Sequence, residues 1–332
     1  MIMREKLKDR LLPLLEEKQN EYLSGEDAAR RLNVSRSAVW KAVNELKKDG
    51  YSVESVTNRG YRLAGEYDVL SRGEIIKRLG TGFSRLNIEV QRTVTSTNAV
   101  LKERAASGET EGTVLIAAEQ TAGRGRFTRR FHSPAGTGIY MSLLLRPRLC
   151  ANDASLITTA AAVAAAEAAE AVSGRKAGIK WVNDVFMDGK KVCGILTEAA
   201  LDIESGTLEY AVLGIGINVY PPENGFPDDI KDTAGSVLKK RTAGAKNLLA
   251  AEFIKRFYGC YENITERNYI NSYRERCIVI DRDITVISGG KEMPAHCLDV
   301  DSDCRLTVRF ADGEIKKLSS GEISIKMKGV KQ

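Results

Sequence analysis

The segment from Glu119 to Phe131, EQTAGRGRFTRRF, crowds four arginines and two glycines together with no acidic residue after Glu119. Glycine lets backbone N–H groups approach an anion closely, and arginine grips phosphate or carboxylate with a planar fork. The run reads as an anion-binding loop, with a solvated basic loop or a nucleic-acid contact as the plainer alternatives. It has no GxxxxGK[ST] pattern and is not a dinucleotide fingerprint. A second stretch, KWVNDVFMDGKKVCGIL from Lys180 to Leu196, reads as a strand ending at Lys180, a turn at Asn183-Asp184 and a hairpin whose second strand opens at Lys191. Alternation puts Lys191, Cys193 and Ile195 on one face of that strand and Val192, Gly194 and Leu196 on the other. Lys191 could lead into a pocket floored by Gly194, or be one of several surface lysines. Ser96-Thr97-Asn98 ahead of a helical pattern could cap that helix or hold a small polar ligand. In GIGINV, from Gly214 to Val219, glycines permit a close approach to the backbone.

The bulk properties narrow the chemistry. Only two histidines occur, His132 and His296, which argues against a histidine-rich metal site and against most triad chemistry. The six cysteines form no CxxC pair and read as reduced thiols of a cytoplasmic protein. The first residues, MIMREKLKDRLLPLLEEK, are charged and helical rather than a signal peptide, and no stretch reads as a membrane span. A net charge of +6 permits nucleic-acid binding without requiring it.

The elements that must carry these residues fall into three blocks. Up to about residue 66 the pattern is helix, helix, helix, hairpin, with Pro13 predicting a kink or break in the first helix. Ser24 caps the second helix with Asp27 as its capping partner, and Asn33-Val34-Ser35 makes a tight turn. Ala38, Val39, Ala42, Val43 and Leu46 then share one helical face, while Lys41, Asn44, Lys47 and Lys48 lie off it. Gly50 ends that helix, and two alternating strands flank Asn58-Arg59-Gly60. This is the pattern of a winged helix-turn-helix, with a helical protein-interaction module as the alternative. From 67 to 276 strands alternate with helices, including the alanine-rich stretch DASLITTAAAVAAAEAAEAV, a buried scaffold helix. From 277 to 332 short strands alone predict a small β-barrel, with EIKKLSSGEISIKM read as one strand segment.

Taken together, the winged helix, Ser96-Thr97-Asn98, EQTAGRGR at 119–126, KWVND at 180–184, KKVCGIL at 190–196, GIGINV and the terminal GEISIK resemble the bacterial bifunctional biotin protein ligases, the biotin operon repressors, over nearly the whole chain. The resemblance implies an α+β protein. Its parts are an N-terminal winged helix-turn-helix, a central mixed-sheet catalytic domain related to class II aminoacyl-tRNA synthetases and lipoate ligases, and a C-terminal SH3-like β-barrel. It implies activation of biotin with ATP, with Mg²⁺, to biotinyl-5′-AMP, then transfer to a lysine of a biotin carboxyl carrier protein. That acceptor belongs to acetyl-CoA carboxylase, with pyruvate carboxylase as a further one. It also implies an adenylate-promoted homodimer that binds operator DNA and represses biotin-synthesis genes.

The site residues carry over position by position. Ser96, Thr97, Asn98 and Gln120 would meet biotin, together with Arg124, Arg126, Lys191, Gly194 and Leu196. Arg124, Arg126, Arg129, Phe131, Lys180, Asn183, Lys191 and Asn218 would meet ATP or the adenylate, with Gly214 and Gly216 behind the pocket. Arg126 and Lys191 would carry the adenylation chemistry, and Asp184 is the candidate to take the proton of the acceptor amine. No protein metal ligand is assigned. Arg36, Ser37 and Lys41 would approach the DNA groove, and Arg59 a phosphate. Biotin carboxylate and α-phosphate are both anions, so their encounter needs concentrated positive charge, which accounts for the arginine loop. The chain departs from the family loop GRGRxGRxW at Thr128, in place of a glycine, and at Phe131, in place of tryptophan; Cys304 stands where a turn glycine is expected. A lipoate-type ligase, or a biotin-sensing regulator without ligase activity, are the competing readings.

Overall fold

The computed structural model describes residues 6–18, 21–48, 50–64, 68–127, 129–288, 291–319 and 322–325. The chain divides into two compact units, Met1–Arg78 with Lys240–Leu248, and Leu79–Lys239 with Leu249–Gln332.

The first unit opens with α1 (Leu7–Glu17), α2 (Gly25–Leu32) and α3 (Arg36–Lys48). Pro13 lies inside α1 without ending it. The expected break is absent; Leu11 and Leu15, one turn apart on either side of the proline, are both buried in the unit's core and hold the helix in register. Ser24 Oγ accepts from Asp27 N at 3.0 Å, and Ser35 Oγ accepts from Ala38 N at 3.2 Å, so both helix starts are capped by the residues that the sequence offers. Asn33 takes the left-handed conformation between them (φ 54°). The buried stripe of α3 is Val39, Ala42, Val43 and Leu46, packed with Leu23 and Leu32. A hairpin follows, β1 (Val53–Val56) paired antiparallel with β2 (Gly60–Leu63). At Gly60 (φ 109°) a Cβ would overlap the Leu23 backbone, because Leu23 and the neighbouring Tyr61 exchange two backbone hydrogen bonds of 2.8 and 2.9 Å. The hairpin is thereby tied to the helices, which makes it a wing. α4 (Arg72–Leu79) follows.

The second unit is built on β3 (Asn87–Val94), α5 (Thr97–Ala106), β4 (Thr113–Gln120), β5 (Gly138–Leu145), α6 (Ala154–Ser173), β6 (Gly178–Lys180), β7 (Asp184–Met187), β8 (Lys190–Leu201) and β9 (Leu208–Asn218). After it come α7 (Ala245–Tyr261), α8 (Ile270–Arg276), β10 (Asp283–Ser288), β11 (Lys291–Val300), β12 (Leu306–Phe310), β13 (Ile315–Leu318) and β14 (Glu322–Ile325). One seven-stranded mixed sheet has the order β3-β4-β5-β9-β8-β7-β6, in which β3 and β4 are parallel and the other pairs antiparallel. β5 is buried along its whole length, and α5 packs over β4, β5 and β9. α6 packs against β8, β6, β7 and α8. The segment Ala151–Ser173 is long and apolar enough to cross a membrane by length and composition, contrary to the expectation that none is. Most of it is nevertheless buried inside the protein, as a scaffold helix would be.

The C-terminal strands form a five-stranded antiparallel sheet, order β13-β12-β11-β10-β14. The stretch read as one segment, 314–327, divides in two: β13 pairs with β12, and β14 pairs with β10 at the other edge. Two strand edges needed a partner and one continuous strand cannot serve both. Cys304 has φ 57° in the turn between β11 and β12, the conformation for which a glycine was expected.

The expected turn at Asn183-Asp184 lies one residue earlier. Residues 181–183 turn, with a cis peptide between Trp181 and Val182, and Asp184 already pairs with Lys180 and Gly194. This turn is fastened from behind. The fully buried Tyr273 donates to Val182 O at 3.1 Å, and Trp181 Nε1 donates to Cys304 O at 2.8 Å. Tyr273→Phe leaves the Val182 carbonyl without its partner and is expected to destabilise the fold by about 1–3 kcal/mol. A urea unfolding curve with a lower midpoint and unchanged slope checks this, and an unchanged midpoint contradicts it.

Candidate functional site

Cross-strand register fixes which residues share the working face of the large sheet. Tyr140 and Ser142 of β5 stand opposite Gly216 and Gly214 of β9, which in turn stand opposite Gly194 and Leu196 of β8, and Gly194 stands opposite Asp184 of β7. Lys191 belongs to this face as well, and here simple alternation fails. Val185 pairs with Cys193 but Phe186 pairs with Lys191, so Val192 is an extra residue, a β-bulge. The bulge moves Lys191 from the face of Cys193 to that of Gly194. Lys191 Nζ lies 2.6 Å from Asp184 Oδ1 and would be 3.2 Å from a Cβ on Gly194. Cys193 is left buried, which pushes its thiol well above the usual range.

The floor of the site is glycine for a spatial reason. The Phe131 ring lies over Gly194 and Gly216, edge-on to Tyr140 with centroids 6.4 Å apart; a Cβ on Gly216 would overlap that ring. At Gly214 a Cβ would overlap the side-chain amide of Asn98. The glycines therefore make room for side chains that come from α5 and from the arginine loop.

That loop folds back on itself. Gly125 N donates to Arg129 O at 2.7 Å and Phe131 N to Gly123 O at 3.0 Å, while Arg124 and Arg130 form a β-bridge. A Cβ on Gly123 would come within 2.6 Å of Phe131 O and Ser133 Oγ. Arg126 reaches Asn183 Oδ1 at 3.1 Å and stacks over the Phe127 ring. Phe127 is exposed and has φ 52°, a left-handed conformation unusual for a bulky side chain. Thr128 lies outside the described residues, as do Gly321 and Lys326 of the terminal GEISIK. Arg124 and Arg129 are exposed on the loop.

The Ser96-Thr97-Asn98 segment is buried at the start of α5. Ser96 Oγ caps the helix, accepting from Ala99 N at 3.4 Å. Thr97 N and Oγ1 donate to Gln120 Oε1 at 2.9 and 3.2 Å, and Gln120 Nε2 donates to Ser133 Oγ at 3.1 Å. Asn98 Nδ2 donates to Leu196 O at 3.2 Å and to Glu198 Oε2 at 2.9 Å. Burial pushes the Glu198 carboxyl up, but the hydrogen bonds from Lys102 and Asn98 and the charges of Lys102 and Arg124 outweigh it and hold it below the usual range.

Of the remaining candidates, Lys180 stands opposite Asp184 at the sheet edge, its ammonium 6.0 Å from the Phe186 ring. Asn218 follows Gly214 and Gly216 at two-residue spacing on the same face of β9, and its Nδ2 donates to Gly235 O at 3.1 Å. The segment 233–235 lies along Lys191, with Lys191 N to Thr233 O at 2.7 Å and Gly235 N to Lys191 O at 2.8 Å. Sequence reading missed this wall, and it missed Ser142, Glu198 and Lys102. A lone serine inside the apolar run GIYMSLLL was the available signal for Ser142. Asp184, read as a base, is ion-paired to Lys191.

In the first unit, Arg36, Ser37 and Lys41 are exposed on α3, away from its buried stripe. On the wing, the guanidinium groups of Arg59 and Arg62 lie 4.6 and 4.8 Å from the Tyr22 ring centroid, and Lys47 Nζ donates to Ser55 Oγ at 3.0 Å. The ring holds Arg59 in place at the wing tip.

Comparison with known proteins now bears on both units. Residues 89–218 match the biotin/lipoate A/B protein ligase family, and residues 8–62 match an HTH domain. The chain is 39% identical over 260 residues to the bifunctional ligase/repressor BirA of Bacillus spizizenii, covering 78% of each chain. The chain belongs to the bifunctional ligase/repressor family. To the family member of Salmonella typhimurium it is 30% identical over 313 residues, 92% of this chain and 94% of that one. A solved biotin protein ligase from Aquifex aeolicus, in complex with biotin and ATP, superposes with a TM-score of 0.58 at 26% identity. That match covers 72% of this chain and 98% of the other. Membership makes the chain a biotin protein ligase joined to a DNA-binding repressor module.

Proposed function

We propose that this chain activates biotin with ATP to biotinyl-5′-AMP and transfers the biotinyl group to a lysine of a biotin carboxyl carrier protein. The observation that carries the reading is the convergence of Arg126, Lys191 and the Asn98–Gln120 network around the floor of Gly194 and Gly216. The biotin carboxylate attacks the α-phosphorus and pyrophosphate leaves. Arg124, Arg126, Arg129 and Lys191 offset the negative charge that gathers there, and Phe131, with Lys180, Asn183 and Asn218, belongs to the nucleotide side. The carrier amine then attacks the mixed anhydride, AMP leaves, and Asp184, freed from Lys191, takes the amine proton. Among the described residues no three His, Cys, Asp or Glu side chains cluster as a metal site. Mg²⁺ would ride on the nucleotide phosphates, and no step is assigned to it.

The same proposal makes the adenylate-bound chain a cytoplasmic homodimer that represses biotin-synthesis genes, since two winged helices reading an operator need a two-fold partner. It also takes the C-terminal sheet as an SH3-like barrel, the central sheet as related to class II aminoacyl-tRNA synthetases, and the domains as 1–66, 67–276 and 277–332. Labelled-biotin transfer to the lysine of a carrier domain, with pyrophosphate release measured in parallel, tests the enzyme. Transfer of lipoate instead of biotin, or ligand binding without pyrophosphate release, overturns it. For DNA, Arg36→Ala is expected to weaken operator binding by about 1–3 kcal/mol, whereas Arg59→Ala mainly flattens its salt dependence. Gel shifts over a salt series check both; an unchanged salt slope in Arg59→Ala removes the wing from the interface.

A further inference from the structure

A cavity of about 410 Å³ lies at the other end of the central sheet from the glycine floor, and its size is in the range of small-molecule sites. Leu86 and Gly112 in its wall directly precede β3 and β4, and Arg146 directly follows β5. β4 runs from this cavity to Gln120, and β5 runs back to it from Tyr140. Leu86 and Leu149 are buried apolar parts of the wall, and the rings of Tyr258 and Tyr261 at the end of α7 meet edge to face, centroids 5.9 Å apart. The charges of the wall are unevenly engaged. Arg85 is paired with Glu262, and Glu111 accepts from Tyr261 Oη at 2.7 Å. The Arg146 guanidinium donates to carbonyls, to Glu109 O at 2.9 Å and to Ala105 O at 3.1 Å. Arg148 is exposed and has neither a hydrogen-bond nor an ion-pair partner for its guanidinium among the described residues. Three arginines thus stand against two glutamates, which leaves one positive charge in excess. Tyr258 adds an unmet polar group. It is 3% exposed, and among the described residues its hydroxyl has no hydrogen-bond partner. Burial pushes that hydroxyl up, and the charge of Glu111 adds to the effect, so it stays protonated and can donate. A buried tyrosine hydroxyl ordinarily finds an acceptor.

We propose that this cavity is a ligand site separate from the ligase site, and that it takes an organic monoanion with a flat apolar body, an aromatic carboxylate. The single excess charge of the wall suits a carboxylate better than the near-dianion of a phosphate monoester. Arg148 offers the uncommitted fork that grips such a group. The two tyrosine rings, with Leu86 and Leu149, cover the body of the ligand. Arg85 is the movable part of the wall. Its guanidinium lies 5.6 Å from the Tyr258 ring centroid, and its ion pair with Glu262 is more than half exposed on both sides, a kind of pair that contributes little. Swinging outward, Arg85 yields the Tyr258 ring to a flat ligand and its hydroxyl to an acceptor on that ligand. Such a hydroxyl is costly while unpartnered, and a bound carboxylate would remove that cost.

The test titrates the full-length protein calorimetrically with 2-naphthoate, with 2-naphthamide (the same body without the charge) and with 2-naphthyl phosphate. Saturable binding of 2-naphthoate is expected, with the amide and the phosphate each weaker by about fivefold or more. Arg148→Ala changes an exposed residue, so the fold should stand, and 2-naphthoate should lose about fivefold or more in affinity together with its advantage over the amide. Lys191→Ala should leave 2-naphthoate binding unchanged, because the ligase site lies at the other end of the sheet. Tyr258→Phe should weaken 2-naphthoate and at the same time raise the melting temperature of the unliganded protein, since it deletes an unpartnered buried hydroxyl. A hydroxyl without a role in binding would give the second effect and not the first. No saturable binding of 2-naphthoate up to the millimolar range overturns the site. Binding that is lost in Lys191→Ala and kept in Arg148→Ala overturns it too, by putting the anion in the ligase site. Tighter binding of the phosphate overturns the carboxylate assignment.

Discussion

Lys191→Ala is expected to slow adenylate formation by more than about tenfold, and Arg126→Ala to do the same. Each removes a positive charge from the place where the biotin carboxylate meets the α-phosphate. The two losses differ in kind. Lys191 Nζ is 2.6 Å from Asp184 Oδ1, so its removal also leaves an unopposed carboxylate facing an incoming phosphate. Lys191→Ala should therefore be the worse variant, and Lys191→Ala with Asp184→Asn should recover part of the rate, a non-additivity that marks a coupled pair. Arg126 is held by Asn183 at 3.1 Å, and Asn183 in turn is held by Ile195, donating to its carbonyl at 2.8 Å. Its loss should leave the rest of the site standing, so biotin should still bind while the chemical step slows. Single-turnover release of pyrophosphate reads both. Near-normal release in both variants would mean that these residues do not face the reacting phosphate.

Gly216→Ala is expected to reduce biotin affinity by about tenfold or more, through overpacking that costs about 1–3 kcal/mol. The added methyl would overlap the Phe131 ring, which lies over Gly216 and its neighbour Gly194. Either the ring leaves the floor or the strands β8 and β9 separate, and β9 is buried along most of its length and paired on both sides. The ring is the softer part, so Gly216→Ala with Phe131→Ala should regain stability, though not the full affinity. Gly194→Ala makes the internal control: its methyl would meet Phe131 at 3.1 Å and Lys191 at 3.2 Å, contacts that the ends of two side chains can relieve. Melting temperature and calorimetric titration of the three variants separate these effects. Equal behaviour of Gly194→Ala and Gly216→Ala would refute the ranking.

Much of this protein was legible in its residues alone, because the relevant forces are local. Ser24 and Ser35 announce helix starts by what a hydroxyl does for an unpaired N–H. The apolar stripe of α3, the wing turn at Asn58-Arg59-Gly60 and the charge density of the arginine loop are also properties of short stretches. So is the demand of two reacting anions for arginine and lysine. Other features could be decided only by partners far away in sequence. The break predicted at Pro13 did not occur, because Leu11 and Leu15 are buried on either side of it. The face of Lys191 was misjudged because alternation assumes an unbroken ladder, and the extra residue at Val192 exists only through the pairing of β8 with β7. Asn218 turned to Gly235, and Asp184 to Lys191, for the same reason: a polar side chain takes the nearest complementary atom that the fold delivers. The hydrogen-bond network around Asn98 joins residues of α5, β4, β5 and β8. No window of sequence contains them together, and only the packing of α5 on the sheet brings the carboxylate of Glu198 to the Asn98 amide.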